Sequence, residues 1–155
     1  VSAQSSRDVG SIHVDRSHVI RIDRPIEAAF PLFTPIGETV WVPGWRPVFV
    51  HPSDGTTAEG MVFLTDFDGE DTIWACVHFR PEAHEVGYVR VTPGSRVAMV
   101  DVTARPIDAA TSEVTVRYRI TALSPAGEAV VAAFGAAAFA ERIEGWRERI
   151  AALPV

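Results

Sequence analysis

Lysine is absent from all 155 residues, so every one of the 14 basic side chains is an arginine. Without an ε-amine nucleophile, Schiff-base catalysis and lysine-anchored pyridoxal phosphate are excluded. Cysteine is nearly as scarce. Cys76 stands alone, which rules out an intrachain disulfide and leaves a cysteine-based zinc cluster short of ligands. A lone thiol is simplest to reconcile with a cytoplasmic setting. Long hydrophobic runs are missing too: the longest, Ala129 to Ala140, is bounded by Glu128 and Glu141 and falls short of the ~20 residues that a bilayer span requires. The polar Val1 to Gly10 stretch lacks the apolar segment of a secretory signal. No membrane insertion is expected.

Positive charge is in deficit, with 14 arginines against 20 carboxylates and a formal charge of −6. That balance argues against a general affinity for nucleic acid or for an anionic membrane, while leaving room for a local arginine patch. No nucleotide loop or dinucleotide fingerprint is present, and no cofactor is expected. The acidic turn Asp66 to Asp71 resembles part of a calcium loop. Its glycine comes too early and no bidentate glutamate follows at the required spacing, so it reads as a solvated hairpin. His78 and His84 lack a third ligand for a metal.

What the chain does have is apolar bulk. At 47% hydrophobic content, 155 residues suffice for one domain with its own core and an internal pocket. Residues 1–10 are expected to form a flexible N-terminal arm and residues 11–155 a single domain. The stretch SIHVDRSHVIRID places Ile12, Val14, His18, Ile20 and Ile22 on one face of a strand, with Arg16 interrupting that face. Two short helices follow, RPIEAAFPLF and TPIGETVW, separated at Pro31 and stopped by Val42-Pro43-Gly44. Six strands then alternate with turns: RPVFVHP, MVFLTDF, TIWACVHFR, EVGYVRV, RVAMVDVTA and SEVTVRYRITA.

The chain ends on Ser124 to Leu153, read as one continuous helix capped by Ser124 and Pro125, roughly 45 Å long. Phe139, Ile143, Trp146, Ile150 and Leu153 form its apolar stripe, with Trp146 as the main plug of the core. Its first half is apolar all round but small. One strand, two short helices, six antiparallel strands and a terminal helix make an α+β fold in which the helix covers the apolar face of a curved sheet.

This order of elements, together with TPIGETVWVPGWRP, the Gly60-Met61-Val62-Phe63 strand start, YVRVTPGS, SEVTVRYRITALS and the late Trp146, resembles the START-like or SRPBCC superfamily. These are the helix-grip proteins, among them birch-pollen-allergen-like and polyketide cyclase/dehydrase-like members. The resemblance implies a seven-stranded curved antiparallel sheet wrapped around a long C-terminal helix, with two short helices between strands 1 and 2 and a hydrophobic cavity. Members use it for lipid or aromatic ligand binding, hormone sensing, polyketide cyclisation or co-chaperone work. Fold does not fix function, so the cavity residues must decide.

An even-length loop at Pro93-Gly94 would put Val86, Tyr88 and Arg90 on one face with Val97, Met99 and Asp101, and Gly87, Val89 and Val91 on the other with Ala98, Val100 and Val102. Trp74, Cys76 and His78 alternate in the same way. Either set could face the cavity. The amphipathic one is favoured because Trp74 and Met99 are costly to leave in water. The candidate acid/base groups are then His18, His78, Tyr88, Asp101 and Tyr118, and the candidate ligand contacts are Phe33, Trp41, Trp45, Phe63, Trp74, Met99, Val116, Phe134 and Ala138. In the alternative, Tyr88, Arg90 and Asp101 form a solvated convex face, His18 is a hydrogen-bonded rim residue, and the tryptophans and the small helix half are packing. Ser17 and His18 are adjacent on a strand and point apart, so they cannot form a triad.

Three functions are compatible with this reading. The first is binding of a hydrophobic lipid-like, aromatic or polyketide-like molecule. The second is a cyclase or aromatase in which these tyrosine, histidine and aspartate side chains move protons. The third, ranked last, is a protein-interaction module, which would show a large exposed apolar patch. The oligomeric state is open, a dimer included.

Overall fold

The seven strands expected from the alternating segments all form, and they pair into one antiparallel sheet in the order β1-β7-β6-β5-β4-β3-β2. The computed structural model describes residues 12–154; the expected arm, residues 1–10, lies outside the described residues. Strand β1 (His13–Ile22) is followed by helix α1 (Ile26–Ala29), a tight turn over Phe30–Phe33 and helix α2 (Pro35–Glu38). Strands β2 (Val48–His51), β3 (Val62–Thr65), β4 (Thr72–Arg80), β5 (Glu85–Thr92), β6 (Arg96–Pro106) and β7 (Ser112–Ala122) come next. The Thr34 side chain caps α2, accepting from the Gly37 amide at 3.1 Å.

The terminal helix is two helices, which corrects the single long one expected. Helix α3 (Pro125–Ala132) and helix α4 (Ala136–Ala151) are separated at Ala133 to Gly135. Alanine favours helix, so propensity did not announce the break. The chain tightens there, with the Ala133 and Phe134 amides reaching back only three residues. Gly135 then leaves helical geometry at φ −64°, ψ 161° to start α4. Arg16 accounts for the freed acceptor: its Nε donates to the Phe134 carbonyl at 2.9 Å. The arginine that interrupts the apolar face of β1 thus lies inside the strand and holds the helix junction.

Helix α4 carries the expected stripe, with Phe139, Ile143 and Ile150 buried. Trp146 and Leu153 are only partly buried, so Trp146 is not the core plug anticipated. Its indole packs edge-on against Trp41 and Tyr118, at 5.7 and 6.4 Å between ring centres. The far end of α4 is tied to the sheet by Arg24, whose guanidinium donates to the carbonyls of Ile150 and Leu153. At the other end, Gly127 of α3 lies so close to the β5–β6 hairpin that a Cβ would strike the Ser95 carbonyl.

Two local irregularities set which side chains face α4. The last pair of the β5–β6 hairpin is Thr92 with Arg96, so the loop is Pro93-Gly94-Ser95, three residues with Gly94 at φ +74°. The odd length reverses the pairing expected from an even one. Val86, Tyr88 and Arg90 stand opposite Val102, Val100 and Ala98 on the inner face, while Met99 and Asp101 go to the outer face with Gly87 and Val89. Strand β4 bulges at Val77, since Cys76 pairs with Tyr88 and His78 with Gly87. Trp74 and Cys76 therefore point inward while His78 points out, and Phe79 takes the inner position to stack on Phe30. No helix among the described residues is long and apolar enough to cross a membrane.

Candidate functional site

Between the inner face of the sheet, the Pro35 to Trp45 segment and α4 lies a cavity of about 810 Å³. All four tryptophans of the chain line it. Trp74 stacks on Phe63 at 5.4 Å between ring centres and 9° between planes, and Trp45 meets both edge-on. The Trp74 indole N–H donates to Thr65 Oγ1 at 3.0 Å, that of Trp45 to the Pro35 carbonyl at 2.9 Å, and that of Trp41 to the Leu32 carbonyl at 2.7 Å. With their N–H groups satisfied by protein, these rings present apolar faces and edges to the cavity.

The expected ligand contacts divide accordingly. Trp41, Trp45, Phe63, Trp74, Phe134 and Ala138 line the cavity. Phe33 and Val116 do not: both are fully buried behind its wall, and Phe33 contributes its carbonyl, which accepts from the Tyr88 hydroxyl at 3.1 Å. Met99 stands on the convex face, 43% exposed, because the odd hairpin loop turned it there.

Of the five candidate acid/base groups, Tyr88 and Tyr118 line the cavity and the other three do not. His18 sits at the β1–α4 rim with Nε2 2.9 Å from Glu144 Oε1. His78 and Asp101 neighbour each other on the convex face, 3.9 Å apart, where Arg119 donates to Asp101 at 3.1 Å. The bulge and the odd loop removed both from the cavity. Burial raises the pKa of both cavity tyrosines, Tyr88 well above the ordinary phenol.

Three cavity groups escaped the sequence reading. Glu38, at the end of α2, is half-buried and lines the cavity; burial, with no cation to oppose it, pushes its pKa up to about 8. Arg90 on β5 lies over the Trp74 ring, 4.8 Å from its centre, with its buried Nε unpartnered; burial lowers its pKa. Arg142 on α4 lies over Phe134 at 5.1 Å. Another cavity arginine, Arg96, is neutralised by Glu70 through two hydrogen bonds of 2.9 Å, which hold the Glu70 carboxyl below the ordinary carboxylate range. The one available signal was Arg90 itself, in register with Tyr88 on a strand whose other inward residues are apolar. No cluster of potential metal ligands occurs among the described residues.

No protein-family model and no curated protein matches the chain. Solved structures do. Norcoclaurine synthase from Thalictrum flavum superposes with a TM-score of 0.64 at 9% identity, over 94% of this chain and 90% of that one. The aromatase/cyclase Zhui from Streptomyces sp. R1128 superposes at 0.56 with 14% identity, over 90% and 87%. The di-domain aromatase/cyclase BexL of the BE-7585A biosynthetic pathway gives 0.65 and 14%, over 89% of this chain and 46% of that one. At such identities the likeness is one of fold, and the chain has the START-like helix-grip fold, a seven-stranded antiparallel sheet closed over a cavity by its C-terminal helix.

Proposed function

We propose that this protein binds a flat hydrophobic small molecule, aromatic or polyketide-like, in the cavity between the sheet and α4. The observation that carries the reading is that all four tryptophans of the chain line this one cavity. Indoles with satisfied N–H groups offer large, rigid contact area to a planar ligand at little entropic cost. A cavity of about 810 Å³ also falls within the size that ordinary ligand pockets have. The same tryptophans are the reporter. Titration with 1,8-dihydroxyanthraquinone should quench intrinsic fluorescence saturably and raise the melting temperature. Ala138→Leu, which adds bulk at the cavity wall, should weaken that binding with little effect on folding. Absence of saturable quenching and of any thermal shift, across that probe and a set of polyketides and lipids, would defeat the reading.

A second reading, catalysis of the cyclase or aromatase kind, is favoured by Glu38. A carboxyl with a pKa of about 8 is mostly a neutral acid at pH 7 and gains a proton-accepting form within a unit of it, the range in which general acid–base groups work best. Glu38 acts electrostatically on both Tyr88 and Tyr118, so a ligand carbonyl near these three groups could be polarised and its α-proton moved without a cofactor. The test is ring formation from a linear poly-β-ketone thioester. Wild type should accelerate it and Glu38→Gln should not; equal rates with and without protein would leave binding alone.

A further inference from the structure

Four arginines, Arg90, Arg96, Arg142 and Arg149, and four carboxylates, Glu38, Asp68, Glu70 and Glu141, line the cavity. Two of the arginines, Arg90 and Arg142, rest over aromatic rings, Trp74 and Phe134, and among the described residues neither forms an ion pair with a carboxylate. Arg96 shows what a paired cavity arginine looks like here, with Glu70 accepting two hydrogen bonds from it. Glu38 does not serve Arg90 or Arg142. A nearby guanidinium would depress its pKa, whereas burial alone accounts for its elevated one. Arg90 and Arg142 both act on Tyr118, lowering its pKa against the upward push of burial, and Arg142 also bears on Arg90. The two cations and the phenol all line the one cavity.

An arginine stays protonated in a protein, and a buried cation is costly unless an anion or hydrogen-bond acceptors meet it. Stacking on an aromatic face returns only part of that cost. The Arg90 Nε–H, sequestered and without a partner, is a donor with no acceptor in the protein. Guanidinium groups match carboxylates because both are planar and can exchange paired hydrogen bonds.

We propose that Arg90 and Arg142, with the Tyr118 hydroxyl, form a carboxylate-binding subsite in the cavity, so that the molecule held there is a planar aromatic acid rather than a neutral aromatic. This rests on the cavity-binding reading above and narrows its ligand class. The carboxylate supplies the acceptor that the Arg90 Nε–H lacks, and the ring system lies against the aromatic side chains that line the cavity.

Isothermal titration with 2-naphthoate and its neutral counterpart 2-naphthamide tests this. Hydrogen bonds to a charged group contribute roughly 1.5–3 kcal/mol, so naphthoate should bind the wild type about tenfold to a hundredfold more tightly than the amide. Arg142→Gln, on the accessible side of α4, should remove about tenfold of that preference without disturbing the core. Arg90→Gln should remove at least as much, and the amide, whose neutral carbonyl is the weaker acceptor, should lose less affinity than naphthoate in both variants. Equal binding of the two probes to wild type would overturn the subsite while leaving the cavity reading intact. Equal weakening of both probes in Arg142→Gln would do the same. Binding of neither probe would overturn the subsite together with the reading on which it rests.

Discussion

Glu38 owes its chemistry to where α2 ends. In the segment TPIGETVW it looks like any acidic residue of a short helix, and nothing in its neighbours' spacing marks it. Once α2 is set against the open end of the sheet, burial raises the pKa of the carboxyl from 4.5 to about 8. The folded state then holds the proton more tightly than the unfolded one. Its contribution to stability is fully present below about 4.5 and is lost as pH rises through about 8. Denaturant unfolding at pH 4.5 and pH 8.5 should show Glu38→Gln equal to wild type at the lower pH and more stable at the higher one. The gain should be a few kcal/mol, with an upper limit of about 5. Parallel curves for the two proteins would mean that Glu38 titrates normally. Arg90 tells a similar story: its place beside Tyr88 was legible, but whether that face meets ligand or water depended on one residue of loop length.

At the scale of elements, the helix junction and the α4 stripe make separable predictions. Arg16→Met keeps the aliphatic stem and deletes the bond to the Phe134 carbonyl. It should cost about 1–2 kcal/mol, and hydrogen exchange should quicken at 133–136 while β7 stays protected. Unchanged exchange there would show that Arg16 does not hold the break. On α4, Ile143 is fully buried whereas Trp146 borders the cavity. Ile143→Ala should therefore cost about 2–5 kcal/mol. Trp146→Ala enlarges a space that already exists, so it should cost less stability and more ligand affinity. The reverse order in chemical denaturation would make Trp146 the plug after all. The strands were legible because alternation survives without tertiary context; at the α3–α4 break Gly135 was the only local sign, and the Arg16 donor that meets the Phe134 carbonyl there sits on β1, more than a hundred residues away.

For the molecule as a whole, the sheet and the terminal helices that frame the cavity share one core. Binding should thus act by mass action on an existing fold. A ligand at 100 times its Kd should add about 2.7 kcal/mol of stability, with far-UV circular dichroism unchanged. A large change in that spectrum would mean that the cavity forms only on binding. On the acid side, the Arg96 pair favours ionised Glu70, so its contribution is present above the unfolded carboxylate pKa and fades as pH falls through the lowered folded one. Stability should accordingly decline on both flanks, through Glu70 in acid and through Glu38 toward pH 8.

The sequence by itself determined the seven strands, their order along the chain, the covering helix face and the gathering of aromatic residues, because hydrophobic periodicity and turn residues act locally and survive in one dimension. Only the tertiary structure decided which of those residues share the cavity. A strand has a period of two, so the three-residue loop at Pro93–Ser95 and the bulge at Val77 each exchanged inner for outer faces. They sent Met99, His78 and Asp101 to the convex side and left Tyr88 and Arg90 facing α4. The burial of Glu38 and the capture of the Phe134 carbonyl by Arg16 are likewise long-range events, set by packing between segments far apart in the chain.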